Sequence, residues 1–293
     1  MTDSVTPHPA GYRTDSAFLA ALAAQLRAAG CVFAEDEARL LAEAAASMEQ
    51  LRALVDRRVA GLPLEHLLGW AEFCGMRIGV DPGVFVPRRR TEFLVQHAVL
   101  LLAAPGRPFR DAPVVVDLCC GSGAVGAAIA ALEGPLELHA ADVDPVAVRC
   151  ARGNVLPFGG EVHEGDLYAP LPERLRGRVD VLAVNAPYVP SAGIRTMPQE
   201  ARLHEPRACL DGGADGLAVQ RRVAAAAPKW LAPGGHLLIE TSRGQAPQTV
   251  ELFLRNGLTA RVSSSEELDA TVVIGAVEGA GGAPAPGGAP ALR

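Results

Sequence analysis

The chain has 293 residues, of which 49% are hydrophobic and 20% are charged. This length accommodates one full α/β domain and a smaller companion, and the composition excludes both a membrane-embedded and a disordered chain. The formal net charge is −6, and the arginine runs Arg88-Arg89-Arg90 and Arg221-Arg222 are short. The charge therefore favours a protein or small-molecule substrate over a long nucleic acid, and we expect no direct nucleic-acid binding.

The N-terminus and the cysteines indicate the cellular compartment. Met1-Thr2-Asp3-Ser4 lacks the features of a signal peptide, and no run of about 18 uncharged apolar residues predicts a membrane-spanning helix. The six cysteines show no CxxC spacing, and the seven histidines form no cluster with metal-ligand spacing in the sequence. We therefore predict reduced thiols, a cytoplasmic location, no membrane association and no metal site. We also expect a monomer.

The N-terminal part of the chain has the pattern of a small helical bundle. After a polar arm at 1–14, an apolar stripe begins near Ser16, with Asp15 or Ser16 as the N-cap and Gly30 as the stop. The further elements predicted here are two helices, a β-hairpin and a fourth helix, at residues 35–47, 49–60, 71–80 and 91–103 respectively.

From Pro113 onwards, short apolar runs alternate with helical segments. Continuous apolar runs are typical of strands that are buried on both faces of a parallel sheet. The strands predicted in this way lie at 114–118, 136–142, 179–185, 236–240 and 271–277. The alternation predicts an α/β fold with a doubly wound sheet, and the Gly/Ala/Pro composition from Gly279 onwards predicts a disordered tail.

The first of these strands leads into a glycine-rich loop of GxGxxG spacing, which contains Cys119, Gly121 and Gly123. Such glycines let the backbone pass close to a ligand, and a dinucleotide would use this loop as well as S-adenosylmethionine. Asp117 lies at the strand end. Its carboxylate can accept a hydrogen bond from the ammonium group of S-adenosylmethionine, whereas it would repel a pyrophosphate. The loop therefore favours S-adenosylmethionine.

Two further acidic residues are candidate ligands, one at the end of a predicted strand and one after a short apolar-polar segment. Asp142 lies 21 residues beyond Gly121, where an acid accepts hydrogen bonds from both ribose hydroxyls of either cofactor class. Asp166, followed by Leu167, lies in a loop near the expected adenine and can accept a hydrogen bond from its exocyclic amine. Both acids support a nucleoside ligand without choosing between the two cofactors.

The third predicted strand ends in Asn185-Ala186-Pro187-Tyr188. A planar amide or amino nitrogen is a poor nucleophile because its lone pair is delocalised, so an enzyme must hold its two N–H groups with two acceptors. The side-chain oxygen of Asn185 and the backbone carbonyl of Ala186 are such a pair. Pro187 stiffens the loop, and Tyr188 offers a flat face to a planar group. The tetrapeptide therefore predicts N-methyl transfer by in-line displacement, with positioning supplying most of the acceleration.

Together these residues resemble the protein-(glutamine-N5) methyltransferases that modify peptide chain release factors, and more narrowly a related actinobacterial group. The resemblance covers about residues 15–277. Beyond the cofactor loop it rests on the segments at 64–69, 72–75, 81–92, 204–207 and 210–217. It implies a Rossmann-like class I methyltransferase sheet of seven strands with a small N-terminal helical domain.

The resemblance also implies S-adenosylmethionine as the cofactor and a release factor as the protein partner, methylated in a Gly-Gly-Gln loop. The implied catalytic residues are Asn185, Ala186, Pro187 and Tyr188. The implied cofactor-binding residues are Asp117, Cys119, Gly121, Gly123, Asp142, Val143, Asp166, Leu167 and Asn185. The implied division of the chain is a flexible arm, a helical substrate-recognition domain, a hairpin linker, a methyltransferase domain and a disordered tail, at residues 1–14, 15–70, 71–87, 88–278 and 279–293 respectively.

Two departures from the family's pattern bear on the substrate. The usual tetrapeptide has proline at position 186, although alanine still supplies the backbone carbonyl. The usual Pro-Arg-Pro-Glu-Thr-Glu is Pro87-Arg88-Arg89-Arg90-Thr91-Glu92 here. Three alternatives stay open. They are an amino-methyltransferase acting on adenine or cytosine of DNA or RNA, a non-catalytic binding module of the same fold, and a dinucleotide oxidoreductase, for which the sequence offers no hydride-transfer site.

Overall fold

The computed structural model describes residues 15–104, 112–197 and 199–277. The arm and the tail predicted at 1–14 and 279–293 lie outside these residues. The described chain consists of a group of N-terminal helices, a β-hairpin, and a seven-stranded sheet with helices on both faces.

Four helices form the N-terminal part, namely α1 (Ser16–Ala28), α2 (Ala34–Ala44), α3 (Met48–Val59) and α4 (Leu64–Leu68). Asp15 caps α1, as predicted, by accepting a hydrogen bond from the Phe18 N–H at 2.8 Å. The second helix ends at Ala44 rather than at the predicted Ser47. Ser47 is extended and caps α3, accepting a hydrogen bond from the Gln50 N–H at 3.1 Å. The inner faces of these helices enclose an apolar core of their own.

The predicted hairpin is confirmed. It consists of β1 (Trp70–Phe73) and β2 (Met76–Gly79), which pair antiparallel. A 3-10 turn at Arg89–Thr91 then leads into α5 (Glu92–Leu102). The Glu92 carboxylate accepts a hydrogen bond from the Cys74 N–H at 3.0 Å, so the hairpin turn is tied to the start of α5.

The other strands are β3 (Val114–Leu118), β4 (Glu137–Asp142), β5 (Glu161–Glu164), β6 (Val179–Val184), β7 (Leu231–Glu240), β8 (Arg261–Ser265) and β9 (Ala270–Ala276). They form one sheet in the order β5-β4-β3-β6-β7-β9-β8, parallel except for β9, which runs antiparallel to both of its neighbours. The chain builds outwards from β3 in one direction and from β6 in the other. The doubly wound α/β fold is therefore confirmed, with its switch point between β3 and β6.

The remaining helices are α6 (Ala124–Glu133), α7 (Pro145–Val155), α8 (Gln199–His204), α9 (Ala218–Ala226) and α10 (Ala246–Arg255). α5, α6 and α7 pack on one face of the sheet, and α9 and α10 pack on the other. Every residue of β3 is buried as a result, which explains its uninterrupted apolar sequence. Within the described part of the chain, no helix has the length and apolar character needed to cross a membrane.

Three strands differ from the sequence-based prediction. β7 begins at Leu231, five residues before the predicted start at His236. Its first half contains Pro233-Gly234-Gly235, a turn-like sequence, and the pairing of β6 with β7 shifts register there. β5 and β8 were not predicted as strands. They form the two edges of the sheet and carry mostly polar or partly exposed side chains, so they lack the apolar run that marks the central strands.

Candidate active site

A cavity of about 350 Å³ opens at the carboxyl ends of β3, β4, β6 and β7. Open α/β sheets bind ligands at this edge, next to the switch point. Every site residue predicted from the sequence lines the cavity except Gly123. The cavity therefore brings together the glycine-rich loop after β3, the acids that follow β4 and β5, and the tetrapeptide that follows β6.

Asp117, near the end of β3, is only 1% exposed. Its Oδ2 accepts a hydrogen bond from the Gly126 N–H at 2.9 Å. Burial raises the pKa of the Asp117 carboxyl to about 7, and the Gly126 hydrogen bond lowers it by a smaller amount. Within the described residues Asp117 forms no ion pair. A buried carboxylate with a single backbone donor is well suited to accept a cationic ligand group, which would stabilise its charged form.

The glycine-rich loop turns sharply after β3. Cys119 and Gly121 have φ angles of 58° and 55°, in the left-handed region. Gly123 begins α6 with a φ of 76°, and a Cβ atom there would lie 2.8 Å from Cγ2 of Val155. Gly123 therefore permits α6 to pack against α7, and it does not line the cavity. Its contribution to the site, predicted from the sequence as cofactor binding, is therefore through the shape of the loop.

Asp142 ends β4 beside this loop. Its Oδ2 accepts a hydrogen bond from the Gly121 N–H, and its Oδ1 accepts one from the Asp144 N–H, both at 2.9 Å. Burial raises the pKa of the Asp142 carboxyl, and these backbone hydrogen bonds lower it. Each oxygen keeps a lone pair for a further donor such as a hydroxyl group. Val143 follows at the rim of the cavity and is 63% exposed.

Asp166 lies at the other side of the cavity, in the loop after β5. Its carboxylate forms an ion pair with Arg222 of α9, and both side chains are more than half exposed. Exposed ion pairs contribute little to stability, so Asp166 can exchange Arg222 for a ligand donor at small cost. Leu167 has a φ of 50°, and this sharp turn brings it to the cavity lining.

Asn185 is the first residue after β6. Its Nδ2 donates a hydrogen bond to Oγ1 of Thr91 at 3.2 Å. Because Nδ2 faces Thr91, the side-chain oxygen Oδ1, at the other end of the amide, faces away from Thr91. Ala186 is 1% exposed and, like Asn185, lines the cavity.

The tetrapeptide is held from behind by two later segments. Nε2 of Gln245 donates hydrogen bonds to the carbonyls of Tyr188 at 2.9 Å and Asp215 at 3.0 Å. Gly216 has a φ of 79°, and a Cβ atom there would lie 2.2 Å from the Tyr188 carbonyl oxygen. Val189 also pairs with the chain at Asp211. The segment at 210–217 therefore supports the tetrapeptide through close backbone packing.

Comparisons with known proteins place this site within a family. The family model described as "Methyltransferase small domain" matches residues 76–215. A release factor glutamine methyltransferase from Geobacter sulfurreducens is 38% identical over 70% of this chain and 70% of its own. The chain belongs to the release factor glutamine methyltransferase family. The family and the methyltransferase fold predicted from the sequence are thus confirmed, and the chain is a methyltransferase.

Two other relatives match the chain at similar identity. A release factor glutamine methyltransferase from Mycolicibacterium smegmatis is 40% identical over 77% of both chains. A 4-amino-L-phenylalanine/4-methylamino-L-phenylalanine methyltransferase from Streptomyces pristinaespiralis is 36% identical over 72% of this chain and 71% of its own. Relatives at similar identity are therefore named for two different substrates.

The residues of this methyltransferase site that sequence reasoning did not assign include Thr91 and Glu240, which line the cavity, and Gln245 behind it. Glu240 is 2% exposed and ends β7 beside the tetrapeptide. It carries the same signal as Asp117 and Asp142, a polar residue that ends an apolar strand, and could have been found in that way. Thr91 and Gln245 have no local signal, because each acts on a residue that is distant in sequence.

The structure brings together two histidines and an acid that show no metal-ligand spacing in the sequence. His139 on β4 and His163 on β5 have ring nitrogens 3.0 Å apart, and Glu161 lies beside them. Nε2 of His139 contacts Glu137 at 3.1 Å, and Arg174 is ion-paired with Glu161 at 2.9 Å. The sequence could not show this because strand pairing alone brings these residues together. The cluster is a hydrogen-bonded network on the sheet edge away from the tetrapeptide.

Proposed function

We propose that this chain transfers a methyl group from S-adenosylmethionine to the side-chain amide nitrogen of a protein glutamine, in the Gly-Gly-Gln loop of a peptide chain release factor. The observation that carries the proposal is that Asn185, held at its Nδ2 by Thr91, lines the same cavity as the buried acids Asp117 and Asp142. The amide that would hold the methyl acceptor and the two acids that would hold the cofactor thus line one cavity.

The acidic residues of the cavity would bind the cofactor. Asp117 would accept a hydrogen bond from the ammonium group, and Asp142 would accept hydrogen bonds from the ribose hydroxyls. Asp166 would accept one from the adenine amine in exchange for its contact with Arg222. The cavity volume of about 350 Å³ lies within the range of small-molecule sites. When bound, S-adenosylmethionine supplies an electrophilic methyl group on a sulfonium.

The tetrapeptide would bind the group that accepts the methyl. Asn185 Oδ1 and the Ala186 carbonyl would accept the two N–H groups of the glutamine amide, so that its nitrogen lone pair faces the methyl group. Tyr188 would pack its ring against the planar amide. The nitrogen–carbon bond then forms as the carbon–sulfur bond breaks, the sulfonium becomes a neutral thioether, and the nitrogen releases one proton to water. Positioning supplies most of the acceleration.

The helices α1–α4 account for recognition of a protein substrate. We assign residues 15–70 to substrate recognition, 71–87 to a linker and 88–278 to methyl transfer. Val32 and Phe33, between α1 and α2, are 82% and 70% exposed. Exposed apolar side chains of this kind are suited to contact a partner.

A second candidate acceptor is an aromatic amine on a free amino acid, and the relative from Streptomyces pristinaespiralis favours it. An arylamine nitrogen is also planar and delocalised, so the same two acceptors and the same Tyr188 face would serve it. The two candidates differ in the size of the substrate. A release factor engages the exposed helices, whereas a free amino acid fits within the cavity.

The test offers purified release factor and 4-amino-L-phenylalanine to the enzyme in separate reactions with S-adenosylmethionine. We expect mass spectrometry to find one added methyl group on the Gly-Gly-Gln glutamine, and none on the amino acid. Asn185→Ala should abolish turnover while leaving cofactor affinity within about threefold, because it removes the amide that holds the acceptor and leaves Asp117, Asp142 and Asp166 in place. Methylation of the amino acid alone would replace glutamine by the second candidate.

A further inference from the structure

Thr91 lines the cavity together with Asn185 and Glu240. It is 2% exposed, and its Oγ1 accepts the hydrogen bond from Asn185 Nδ2 at 3.2 Å. A hydroxyl group that accepts a hydrogen bond still has its own proton to donate. Because Thr91 is buried, that proton needs an acceptor within the protein.

Glu240 lines the same cavity as Thr91 and is a buried carboxylate that can accept this proton. Ile239 pairs with Val184 across β7 and β6, so Glu240 is level with Asn185 at the edge of the sheet. Burial raises the pKa of the Glu240 carboxyl, and the neighbouring Thr91 hydroxyl lowers it. Its Oε2 receives no hydrogen bond of ordinary geometry from the described residues, so it has capacity for the Thr91 proton.

We propose that Glu240, acting through Thr91, holds the Asn185 side-chain amide with its oxygen facing the cavity. The two ends of an asparagine amide have almost the same size, so packing alone does not choose between them. Glu240 acts here in its ionised form, which can only accept hydrogen bonds. Thr91 must therefore donate to Glu240, and its oxygen must accept from Asn185, which fixes the position of Nδ2.

This direction of hydrogen bonding matters for the reaction. The inference rests on the proposed function, in which Asn185 Oδ1 accepts an N–H of the substrate. If the amide turned over, Nδ2 would face that N–H and two donors would oppose each other. The Tyr188 hydroxyl also donates to Oε1 of Glu240, at 3.4 Å. Glu240 is thus a positioning residue for two members of the tetrapeptide and is itself 2% exposed.

The first test is kinetic, on the purified enzyme with release factor as substrate. Thr91→Val and Glu240→Gln should each lower kcat by about 10- to 100-fold, because the acceptor oxygen is no longer fixed. The Kd for S-adenosylmethionine should stay within about twofold. Thr91→Ser keeps the hydroxyl and should retain kcat within about threefold. The double variant should be no slower than the slower single variant, because both changes break the same series of hydrogen bonds from Asn185 through Thr91 to Glu240, called the relay below.

Thr249→Val is the matched control for these variants. Thr249 is a buried threonine on α10, and its hydroxyl donates to Oε1 of Gln220 at 2.7 Å. Its replacement removes buried hydrogen bonds to the Gln220 side chain and the Gln245 carbonyl, and leaves in place the Gln245 side chain that holds Tyr188. It should lower the midpoint of thermal unfolding while leaving kcat within about twofold.

The second test needs no substrate. The chain has only three asparagines, Asn154, Asn185 and Asn256, so selective ¹⁵N labelling of asparagine side chains gives three NMR signals, and Asn185→Ala assigns one of them. The Asn185 amide protons should exchange slowly with water in the wild type and in Thr91→Ser. They should exchange at least about tenfold faster in Thr91→Val and Glu240→Gln. The other two signals serve as internal references.

The outcomes separate the two proposals. A wild-type enzyme that methylates no glutamine contradicts the proposed function, and the NMR measurement still decides the relay. The relay is overturned if Thr91→Val keeps the wild-type kcat, if the Asn185 signal exchanges equally in all variants, or if the kcat losses of Thr91→Val and Glu240→Gln multiply.

Discussion

Burial raises the pKa of the Asp117 carboxyl to about 7, and this has a direct consequence for cofactor binding. Below that pH the free protein holds Asp117 neutral, so binding of a cationic ammonium group requires the carboxyl to release a proton. The affinity for S-adenosylmethionine should therefore fall as the pH falls, approaching a tenfold rise in Kd per unit below about pH 6. Isothermal titration calorimetry between pH 5.5 and 7.5 measures this.

The matched variant for that titration is Asp117→Asn. It removes the titrating group, so it should bind the cofactor more weakly at pH 7.5 and lose most of the pH dependence. The neighbouring acid Asp142, whose pKa burial also raises, remains in this variant and accounts for any residual slope. A wild-type Kd for S-adenosylmethionine that does not change between pH 5.5 and 7.5 would contradict the role of Asp117 as the partner of the ammonium group.

Individual residues also show how far the sequence alone could go. Asp117, Asp142 and Asn185 each end an apolar strand, and the position of a strand end in a parallel sheet is enough to predict that they share an edge. Thr91 was not predicted because it lies 94 residues before Asn185 and meets it only in the folded chain. Gly123 fits two explanations that the sequence cannot separate, because the packing of α6 on α7 also requires glycine at this position.

At the level of elements, the central strands were predictable and the edge strands were not. β3 is buried on both faces, and its five residues are apolar apart from Asp117. β8 reads Arg261-Val262-Ser263-Ser264-Ser265, and most of it is partly or fully exposed. Hydrophobic pattern reports burial rather than strand pairing, so an exposed edge strand leaves little trace in the sequence.

The packing of α2 on α3 depends on a buried ion pair. Nε and Nη2 of Arg58 donate to the two carboxylate oxygens of Glu37 at 2.6 and 3.2 Å, and both side chains are about nine-tenths buried. The guanidinium also donates to the Leu62 carbonyl at 2.9 Å, which ties down the chain after α3. Breaking such a pair leaves a charge buried without a partner.

Arg58→Ala should therefore lower the free energy of unfolding by about 3 kcal/mol or more, because Glu37 would remain buried. Urea unfolding followed by circular dichroism measures the loss. Arg39→Ala is the control, since Arg39 pairs with Glu43 on the exposed surface of α2, and we expect a change below about 0.5 kcal/mol. Equal effects from the two variants would show that the Arg58 pair contributes no more than a surface contact.

In the whole molecule, the N-terminal helices are linked to the catalytic edge by a short series of contacts. Arg58 reaches Glu200 of α8 at 3.4 Å. Glu205, just after α8, accepts hydrogen bonds from Arg88 at 2.6 Å and from the Val86 N–H at 3.3 Å. Arg88 precedes the turn that carries Thr91. The surface that we assign to substrate recognition is therefore joined to the residues that position Asn185.

If α1–α4 recognise a release factor, a change on their exposed surface should affect binding without affecting chemistry. Phe33→Asp, at a side chain that is 70% exposed, should raise KM for intact release factor by about tenfold or more. It should leave kcat, the cofactor Kd and the KM for a short Gly-Gly-Gln peptide within about twofold. Leu254→Asp, at the 57% exposed Leu254 of α10, is the control and should change none of these. Equal KM values for Phe33→Asp and wild type would place recognition outside this surface.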